Sequence, residues 1–311
     1  MQDLLVNLWS NLLVKAMEKN KILYNIELKD FNSWKVGGIA KNFYICADKN
    51  LLAINIKNKA LKLPLHFIGL GSNTLFRDGN IEGTIIMMHK GIGEINQQNN
   101  LFYADAGVSC SKLAKNVAKA GFAKSAFLAG IPGTVGGALA MNAGCYGSET
   151  WDFVSKVLLI DTDGKQIVRK RNEFKTAYRK TINISNKTEY FLGAWFNFPE
   201  GQTDIAQNEI KNLLLHRKKT QPLDWPTAGS TFRNPSNSHA AKLIEECGLK
   251  GHTIGGAQIS NKHANFIINL GNASSIDIER LIEFVKEKVF TLKNIMLETE
   301  IKFIGDDCVT K

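Results

Sequence analysis

The sequence predicts an α+β fold of about two domains. Segments typical of strands are interspersed with segments of helical periodicity, and no regular βαβ alternation links them. At roughly 150 residues per domain, a chain of 311 residues is long enough for two. The composition, 44% hydrophobic and 22% charged, is that of a folded globular protein and excludes collagen-like and low-complexity classes.

The first third is predicted to begin with an amphipathic helix and continue into short elements. Residues 2–18 repeat apolar side chains at helical spacing and lack the basic leader and cleavage site of a secretory signal. A turn-rich stretch at 31–38 comes next, followed by a helix at 48–60 and a strand at 66–69 that ends in a glycine turn. No apolar run reaches the ~18 residues that a membrane span requires.

The middle of the chain is predicted to be rich in strands. Ser109 has the position of an N-cap for a helix that ends at Gly121. Residues 162–164, Thr-Asp-Gly, predict a hairpin-type turn, and we expect the glycine-rich stretch at 130–147 to be a loop. The predicted strands cover residues 81–89, 101–106, 154–161 and 189–198.

The last third mixes helices with short strands. We place a domain boundary near residue 200, and Thr203 is expected to be the N-cap of the helix that follows. The apolar face of this helix carries Ile210, Leu213 and Leu214, and its basic last turn suits the helix dipole. The remaining elements are a helix from Ser238 to Cys247 stopped by Gly248, a strand at 265–269, a helix opened by the capping sequence Ser274-Ser-Ile-Asp277 and a final strand at 300–304.

The chain carries 39 Lys and Arg against 29 Asp and Glu, a net charge of +10. This charge leaves three classes of anionic partner open: nucleic acid, a membrane surface and small polyanionic ligands. The densest basic clusters, at 168–171 and 216–219, are short and lack interleaved aromatic residues, which argues against nucleic acid.

The cysteine and histidine patterns argue against disulfides and metals. The cysteines are odd in number and have no C-x-x-C pair, and the histidines have no metal-ligand spacing. We therefore expect no metal site and a reducing, cytoplasmic location. The cysteines are Cys46, Cys110, Cys145, Cys247 and Cys308.

Two glycine-rich segments are candidates for ligand contact. The sequence Gly69-Leu-Gly-Ser-Asn-Thr74 follows a predicted strand, and its amide N–H groups can form an anion-binding nest. Taken alone it favours a plain tight turn, because it lacks the third glycine of a dinucleotide fingerprint. Residues 130–147 hold six glycines and are mildly apolar, which favours a backbone cradle for a pyrophosphate or flat cofactor over glycines placed only for close packing.

Three polar segments are candidates for chemistry, although each alone is more typical of a solvated surface group. Ser230 follows a glycine and lies near an arginine, Tyr178-Arg179 lies between strand-like segments, and Glu298 and Glu300 are predicted to share one face of the final strand. No nucleophile elbow supports hydrolysis by Ser230.

Taken together and in order, these segments resemble the family of UDP-N-acetylenolpyruvoylglucosamine reductases (MurB), flavoenzymes of peptidoglycan precursor synthesis. The resemblance covers the chain from about residue 30 to residue 304. The matching sequences are Asn32-Ser-Trp-Lys-Val-Gly-Gly38, Gly69-Leu-Gly-Ser-Asn73 with Arg77-Asp78, Ala129-Gly-Ile-Pro-Gly-Thr-Val-Gly-Gly137 with Met141-Asn-Ala-Gly144, Tyr178-Arg179, Ala228-Gly-Ser-Thr-Phe-Arg-Asn-Pro235, Ala241-Lys-Leu-Ile-Glu-Glu-Cys-Gly-Leu-Lys-Gly251, Ile254-Gly-Gly-Ala-Gln-Ile-Ser260 with His263-Ala-Asn-Phe266, and Leu297-Glu-Thr-Glu300.

The resemblance implies an FAD-binding fold of the vanillyl-alcohol-oxidase type followed by an α+β substrate-binding domain. It implies an N-terminal extension at 1–29, an FAD-binding domain at 30–200 and a substrate domain at 201–311. The FAD-binding domain would consist of two subdomains, about 30–90 and 91–200. Only about ten residues follow Arg179 before the next strand, which indicates the short, type II form. One departure is Lys180-Thr-Ile182, where the family often has an acidic residue and a serine.

The resemblance also implies the chemistry: NADPH reduces bound FAD, which reduces UDP-N-acetylenolpyruvoylglucosamine. Arg179 would stabilise the enolate, since guanidinium pairs with a carboxylate bidentately. Ser230 would donate the proton that quenches the carbanion, and Glu300 is the third catalytic residue, preferred over Glu298. We expect the FAD to be non-covalent, although Cys145 and Tyr146 lie in a loop that leaves a covalent link open.

Two other classes of protein stay open. One is a flavin oxidoreductase of the same fold acting on an alcohol or hydroxy acid; the other is a nucleotide- or nucleic-acid-binding protein without catalysis. We expect a monomer that binds no nucleic acid. The implied cofactor-binding residues are Gly69, Gly71, Ser72, Asn73, Gly130, Ile131, Pro132, Gly133, Thr134, Gly137 and Asn142, and the implied substrate-binding residues are Tyr178, Arg179, Asn234, Gln258 and Lys242.

Overall fold

A computed structural model describes residues 19–306 and confirms the α+β class. The helix predicted for 2–18 lies outside the described residues. The helices are α1 (Lys49–Lys57), α2 (Cys110–Lys119), α3 (Ala126–Ala129), α4 (Val135–Met141), α5 (Thr203–Thr220), α6 (Ala240–Glu246) and α7 (Ser275–Lys293). The strands are β1 (Ile22–Glu27), β2 (Ile39–Ile45), β3 (Leu65–Ile68), β4 (Thr74–Phe76), β5 (Asn80–Met87), β6 (Ile95–Gln98), β7 (Leu101–Asp105), β8 (Gly144–Cys145), β9 (Ser148–Glu149), β10 (Val154–Asp161), β11 (Gln166–Lys170), β12 (Phe174–Ala177), β13 (Lys180–Asn183), β14 (Glu189–Asn197), β15 (Thr253–Ile254), β16 (Ala257–Ile259), β17 (Ile267–Asn269) and β18 (Lys302–Ile304).

Two main sheets form the first two thirds of the described chain. The first has the order β1-β2-β5-β3, with β1 antiparallel to β2 and the other pairs parallel. The second is antiparallel, with the order β11-β10-β14-β7-β6. One apolar cluster contains Tyr44 and Ile86 from the first sheet and Ile160 and Leu192 from the second, so the two sheets are joined by a shared core.

Side-chain caps begin three of the helices and explain why they start where they do. Asp48 accepts hydrogen bonds from two amides of α1, and Ser109 accepts one from Lys112 at the start of α2. Ser274 and Asp277 form a reciprocal capping box at the start of α7. The structure thus confirms the predicted caps of α2 and α7.

The C-terminal part packs α6 and α7 against the small sheet β15-β16-β17. Its core also takes in Trp34 and Leu75 from the first third of the chain. Strand β18 pairs in parallel with β4, and Ser275 Oγ donates a hydrogen bond to the carbonyl of Phe76 at 2.6 Å. These long-range contacts bring the final strand to the glycine turn before β4. Within residues 19–306, no helix is both long and apolar enough to cross a membrane.

The expectation of a loop throughout 130–147 is wrong, because α4 lies inside it. The Gly136 amide donates a hydrogen bond to the carbonyl of Ala106 at 2.9 Å. A Cβ built on Gly136 would lie 2.8 Å from the Ala106 Cβ. Glycine therefore lets this short helix dock directly on the backbone that follows β7, which sequence periodicity could not show.

The start and the apolar face of α5 also differ from the expectation. Gln202, not Thr203, is in the N-cap position, and no side chain caps this end. Leu214 is 37% exposed, while Ala206 and Ile210 join the core of the second sheet. The helix packs against α2 and α3, so its contacts join it to the residues before position 200.

Strand predictions in the last third were too long. The strand expected at 265–269 begins at Ile267, and the strand expected at 300–304 begins at Lys302. Glu298 and Glu300 therefore precede the strand, and their side chains differ in exposure, 75% against 12%. The prediction that they share one strand face is wrong, since the backbone before β18 is not a regular strand.

Candidate functional site

A cavity of about 370 Å³ lies where the two main sheets meet the C-terminal part. Its wall is built by the turn after β3, the segment around α4, the β12–β13 turn, the loop after α5 and the chain before β18. The sequence-predicted residues that line it are Gly69, Gly71, Ser72, Asn73, Gly130, Ile131, Pro132, Gly133, Thr134, Gly137, Arg179, Ser230 and Glu300.

The two glycine-rich segments meet at one side of this cavity. A Cβ on Gly69 would lie 2.2 Å from Thr134 Oγ1, so only glycine permits this approach. Gly71 has a φ of +64°, which turns the backbone sharply. Within residues 19–306, the backbone N–H groups of Gly71, Ser72 and Asn73 have no protein acceptor. Such adjacent free amides match the anion-binding nest expected from the sequence.

Arg179 occupies the tight turn between β12 and β13, with a φ of +54°. Its Nε donates to Glu300 Oε1 at 2.7 Å, and its Nη2 donates to the carbonyl of Gly144 at 3.0 Å. The guanidinium also lies over the Tyr178 ring, 4.8 Å from the centroid. These contacts hold Arg179 at the cavity wall, and in the described part of the chain Nη1 has no protein partner.

Ser230 and Glu300 are brought together by backbone pairing between distant parts of the chain. The Glu300 amide donates to the carbonyl of Thr231 at 2.8 Å. Asn73 Nδ2 donates to the carbonyl of Glu300 at 2.9 Å. Ser230 lines the cavity directly after the left-handed Gly229, at φ +78°, and no group among the described residues hydrogen bonds to its hydroxyl.

Burial raises the pKa of the Glu300 carboxyl above its usual value. The nearby Arg179 and, to a smaller extent, Arg233 oppose this effect by favouring the ionised form. Perturbed carboxyl groups in a cavity are typical of functional sites, although structural ion pairs also produce them.

Three cations of the cavity wall were not predicted as site residues: Arg217, Arg233 and Lys302. Together with Arg179 they outnumber Glu300, the one carboxylate among the lining residues of the described chain. Burial lowers the pKa of Arg217, whose Nε donates to Gln221 Oε1 at 2.9 Å. Arg217 was visible in the sequence as part of a basic helix end, and Arg233 stands within the matched motif around Ser230. Neither position could be assigned to the cavity without the long-range pairing.

Five predicted binding residues are not among the lining residues of the cavity. Asn142 is buried and supports the hairpin that carries Arg179, since its Nδ2 donates to the carbonyl of Ala177 at 3.3 Å. Asn234 Oδ1 accepts a hydrogen bond from the Ala240 amide at 3.0 Å. Gln258 Nε2 donates to Thr253 Oγ1 at 3.1 Å. Tyr178 is 46% exposed, and the Lys242 side chain is 70% exposed.

No group of three or more metal-ligating side chains is assembled in the described part of the chain. Of the described cysteines, Cys145 lines the cavity and Cys46, Cys110 and Cys247 do not. Burial raises the pKa of the Cys145 thiol to about 11. A protonated thiol is a poor nucleophile, which fits a non-covalent ligand in this cavity.

Two family models match the chain. Residues 51–169 match the FAD binding domain, and residues 221–304 match the UDP-N-acetylenolpyruvoylglucosamine reductase C-terminal domain.

Curated proteins match over almost the whole chain. The UDP-N-acetylenolpyruvoylglucosamine reductase of Thiobacillus denitrificans is 42% identical over 302 residues, covering 93% of each protein. That of Nitrosomonas eutropha is 44% identical over 288 residues, covering 89% of this chain and 87% of the relative. The crystal structure of the reductase from Thermus caldophilus superposes with a TM-score of 0.78 at 28% identity, covering 92% of this chain and 99% of that one.

Proposed function

This chain belongs to the UDP-N-acetylenolpyruvoylglucosamine reductase family, and we propose that its cavity is where it reduces UDP-N-acetylenolpyruvoylglucosamine to UDP-N-acetylmuramate for peptidoglycan synthesis. The observation that carries this proposal is the convergence of Arg179, Ser230 and Glu300 beside two glycine-rich segments in one cavity. NADPH is the reductant and FAD the cofactor.

The cavity residues fit FAD. The free amides at Gly71, Ser72 and Asn73 would bind its phosphates. A Cβ on Gly137 would have no neighbour closer than 3.9 Å, so this glycine leaves room for the cofactor beside α4. The excess of arginine and lysine around the cavity favours a polyanionic ligand. When bound, FAD accepts a hydride from NADPH and delivers one to the vinyl carbon of the enolpyruvyl group.

Arg179 would bind the carboxylate of the enolpyruvyl group and stabilise the negative charge that develops beside it. Its Nε and Nη2 are already directed by Glu300 and Gly144, which leaves Nη1 to face a ligand. A guanidinium oriented before the reaction costs no reorganisation when the charge develops. Glu300 would therefore orient Arg179 and offset its charge before substrate binds.

Ser230 would donate the proton that completes the reduction. Ser230 lines the cavity and its hydroxyl has no protein acceptor among residues 19–306, so the hydroxyl would be available to a substrate carbon. A serine hydroxyl is a weak acid, and the surrounding arginines would favour its transient alkoxide. Replacement of the proton from solvent would restore the serine for the next cycle.

The two parts of the chain would bind different ligands. We propose that 30–200 bind FAD and that 201–311 bind the substrate, with α5 packed on the first part and connecting the two. Parts of the substrate that extend beyond the cavity would be bound by Tyr178, Asn234, Gln258 and Lys242. Asn142 would support the FAD site through its hydrogen bond to the carbonyl of Ala177. The protein would be a cytoplasmic monomer.

The deciding experiment measures NADPH oxidation by the purified protein with and without UDP-N-acetylenolpyruvoylglucosamine. We expect a yellow protein whose NADPH oxidation depends on that substrate and yields UDP-N-acetylmuramate. Acid precipitation should leave the flavin in the supernatant, because a non-covalently bound flavin is released when the protein unfolds. A colourless protein that does not oxidise NADPH even after addition of FAD would contradict the proposed function.

A further inference from the structure

A second concave surface lies between α2 and α5, and none of its described lining residues lines the candidate active site. This helix groove has a volume of about 620 Å³. Its apolar residues are Ile210, Leu214 and Leu215 of α5. Leu214 and Leu215 are 37% and 50% exposed, so the groove keeps apolar surface in contact with solvent.

Four lysines line both sides of the helix groove. Lys115 and Lys119 belong to α2, and Lys211 and Lys218 belong to α5. Within residues 19–306, none of the four pairs with a carboxylate, and no acidic residue of that range lines the groove. Glu209 of α5 is two residues from Lys211 and is therefore about 200° away around the helix. The groove thus combines an apolar floor with a rim of four lysines that have no carboxylate partner among the described residues.

We propose that the helix groove binds the surface of an anionic phospholipid bilayer. A bilayer presents acyl carbon and head-group phosphate together, which matches an apolar floor flanked by ammonium groups. Lysine stems can pack along acyl chains while their charges reach the phosphates. Each lysine near an anionic membrane surface adds to the attraction. The protein's net charge of +10 acts in the same direction.

The test is cosedimentation of the full-length protein with vesicles of mixed phosphatidylglycerol and phosphatidylcholine, at low and high salt. A groove variant replaces the four rim lysines with glutamine. A matched control variant removes the same charge from exposed lysines elsewhere. The groove variant is Lys115→Gln, Lys119→Gln, Lys211→Gln and Lys218→Gln, and the control variant is Lys57→Gln, Lys59→Gln, Lys62→Gln and Lys165→Gln.

We expect the wild type to bind these vesicles, with binding weakened by salt and absent for pure phosphatidylcholine. The groove variant should lose roughly tenfold or more of its partition coefficient, and the control variant much less. Leu214→Gln with Leu215→Gln should weaken binding at every salt concentration, since it removes apolar contact. NADPH oxidation by each variant reports that its fold is retained.

Three results would overturn the proposal. The first is no binding of the wild type at low salt. The second is equal loss in the groove and control variants, which would show attraction by net charge alone. The third is unchanged vesicle binding in the groove variant, which would place any membrane contact elsewhere. Binding of an acidic amphipathic peptide to the groove without vesicle binding would replace the bilayer with a protein partner.

Discussion

Ser230 is the residue at which a structural role and a chemical role give the most different results. If its hydroxyl has no chemical role, Ser230→Ala should change stability and activity little, because no described residue hydrogen bonds to that hydroxyl. If it supplies the proton, substrate reduction should slow by roughly 10²–10⁴-fold. Bleaching of the flavin by NADPH should stay near the wild-type rate, because that step needs no proton from Ser230.

Rapid-mixing absorbance traces of the two half-reactions measure the rate of flavin reduction by NADPH and the rate of flavin reoxidation by substrate separately. Ser230→Cys should restore part of the activity, because a thiol can also donate a proton. Fast reoxidation of the reduced Ser230→Ala protein by substrate would return Ser230 to a structural role.

Arg179 should be sensitive even to a change that keeps its charge. Arg179→Lys loses the planar fork that reaches Glu300 and Gly144 at once. We expect turnover to fall on the order of 10²-fold or more, with flavin reduction by NADPH less affected than the step with substrate. Equal damage to both half-reactions, or loss of bound flavin, would show that Arg179 holds the cofactor or the fold.

Replacement of the buried Thr231 by valine should stabilise the protein. Thr231 is fully buried, and its Oγ1 has no hydrogen-bond partner in the described chain. Thr231→Val removes the unsatisfied hydroxyl at nearly constant volume, so we expect the free energy of unfolding to rise by about 1 kcal/mol in a urea titration. Thr227→Val is the control, since Thr227 Oγ1 donates to the carbonyl of Ile267 at 2.7 Å and its loss should destabilise. Destabilisation by Thr231→Val would show that the hydroxyl has a partner in solution.

Two adjacent glycines of the short helix α4, Gly136 and Gly137, should respond differently to replacement by alanine. A Cβ on Gly136 would collide with Ala106, so Gly136→Ala should cost on the order of 1–3 kcal/mol despite the better helix propensity of alanine. The nearest atom to a Cβ on Gly137 is 3.9 Å away, so Gly137→Ala should fold normally. Because Gly137 lines the cavity, its methyl group should lower flavin content.

Urea titration and the flavin-to-protein absorbance ratio separate the two effects. Full flavin content in Gly137→Ala would argue that the cofactor does not touch this turn of α4. Normal stability in Gly136→Ala would mean that α4 can move away from the backbone after β7 at little cost.

The C-terminal part is joined to the segment after β4 by an ion pair that is largely buried. Arg77 Nε lies 3.0 and 3.1 Å from the two carboxylate oxygens of Glu279 on α7, and their side chains are 16% and 8% exposed. Arg77→Met removes this cation from a largely buried carboxylate, so we expect the free energy of unfolding to fall by clearly more than it does when an exposed ion pair is broken. The exposed pair Glu283–Lys286 is the control, and Glu283→Gln should cost less than about 0.5 kcal/mol.

Thermal unfolding, followed both by flavin fluorescence and by the circular dichroism signal of the helices, checks this prediction. Because the pair lies beside the β4–β18 contact, we expect flavin release and loss of helix signal in one transition. A change in stability as small as that of Glu283→Gln would show that apolar packing and strand pairing hold the two parts together without help from this ion pair.

Local sequence signals were sufficient for the α+β class, the caps of α2 and α7, and the hairpin turn at 162–164, because each depends on neighbouring residues. The ordered motifs also led to the family and the chemistry. Tertiary structure alone decided that Arg179 meets Glu300 across 121 positions, and that Glu300 is buried while Glu298 is exposed. It also placed α4 inside a glycine-rich stretch and Arg217 at the cavity. These features arise from pairing and burial between distant segments, whose free energy is not encoded in any short window of sequence.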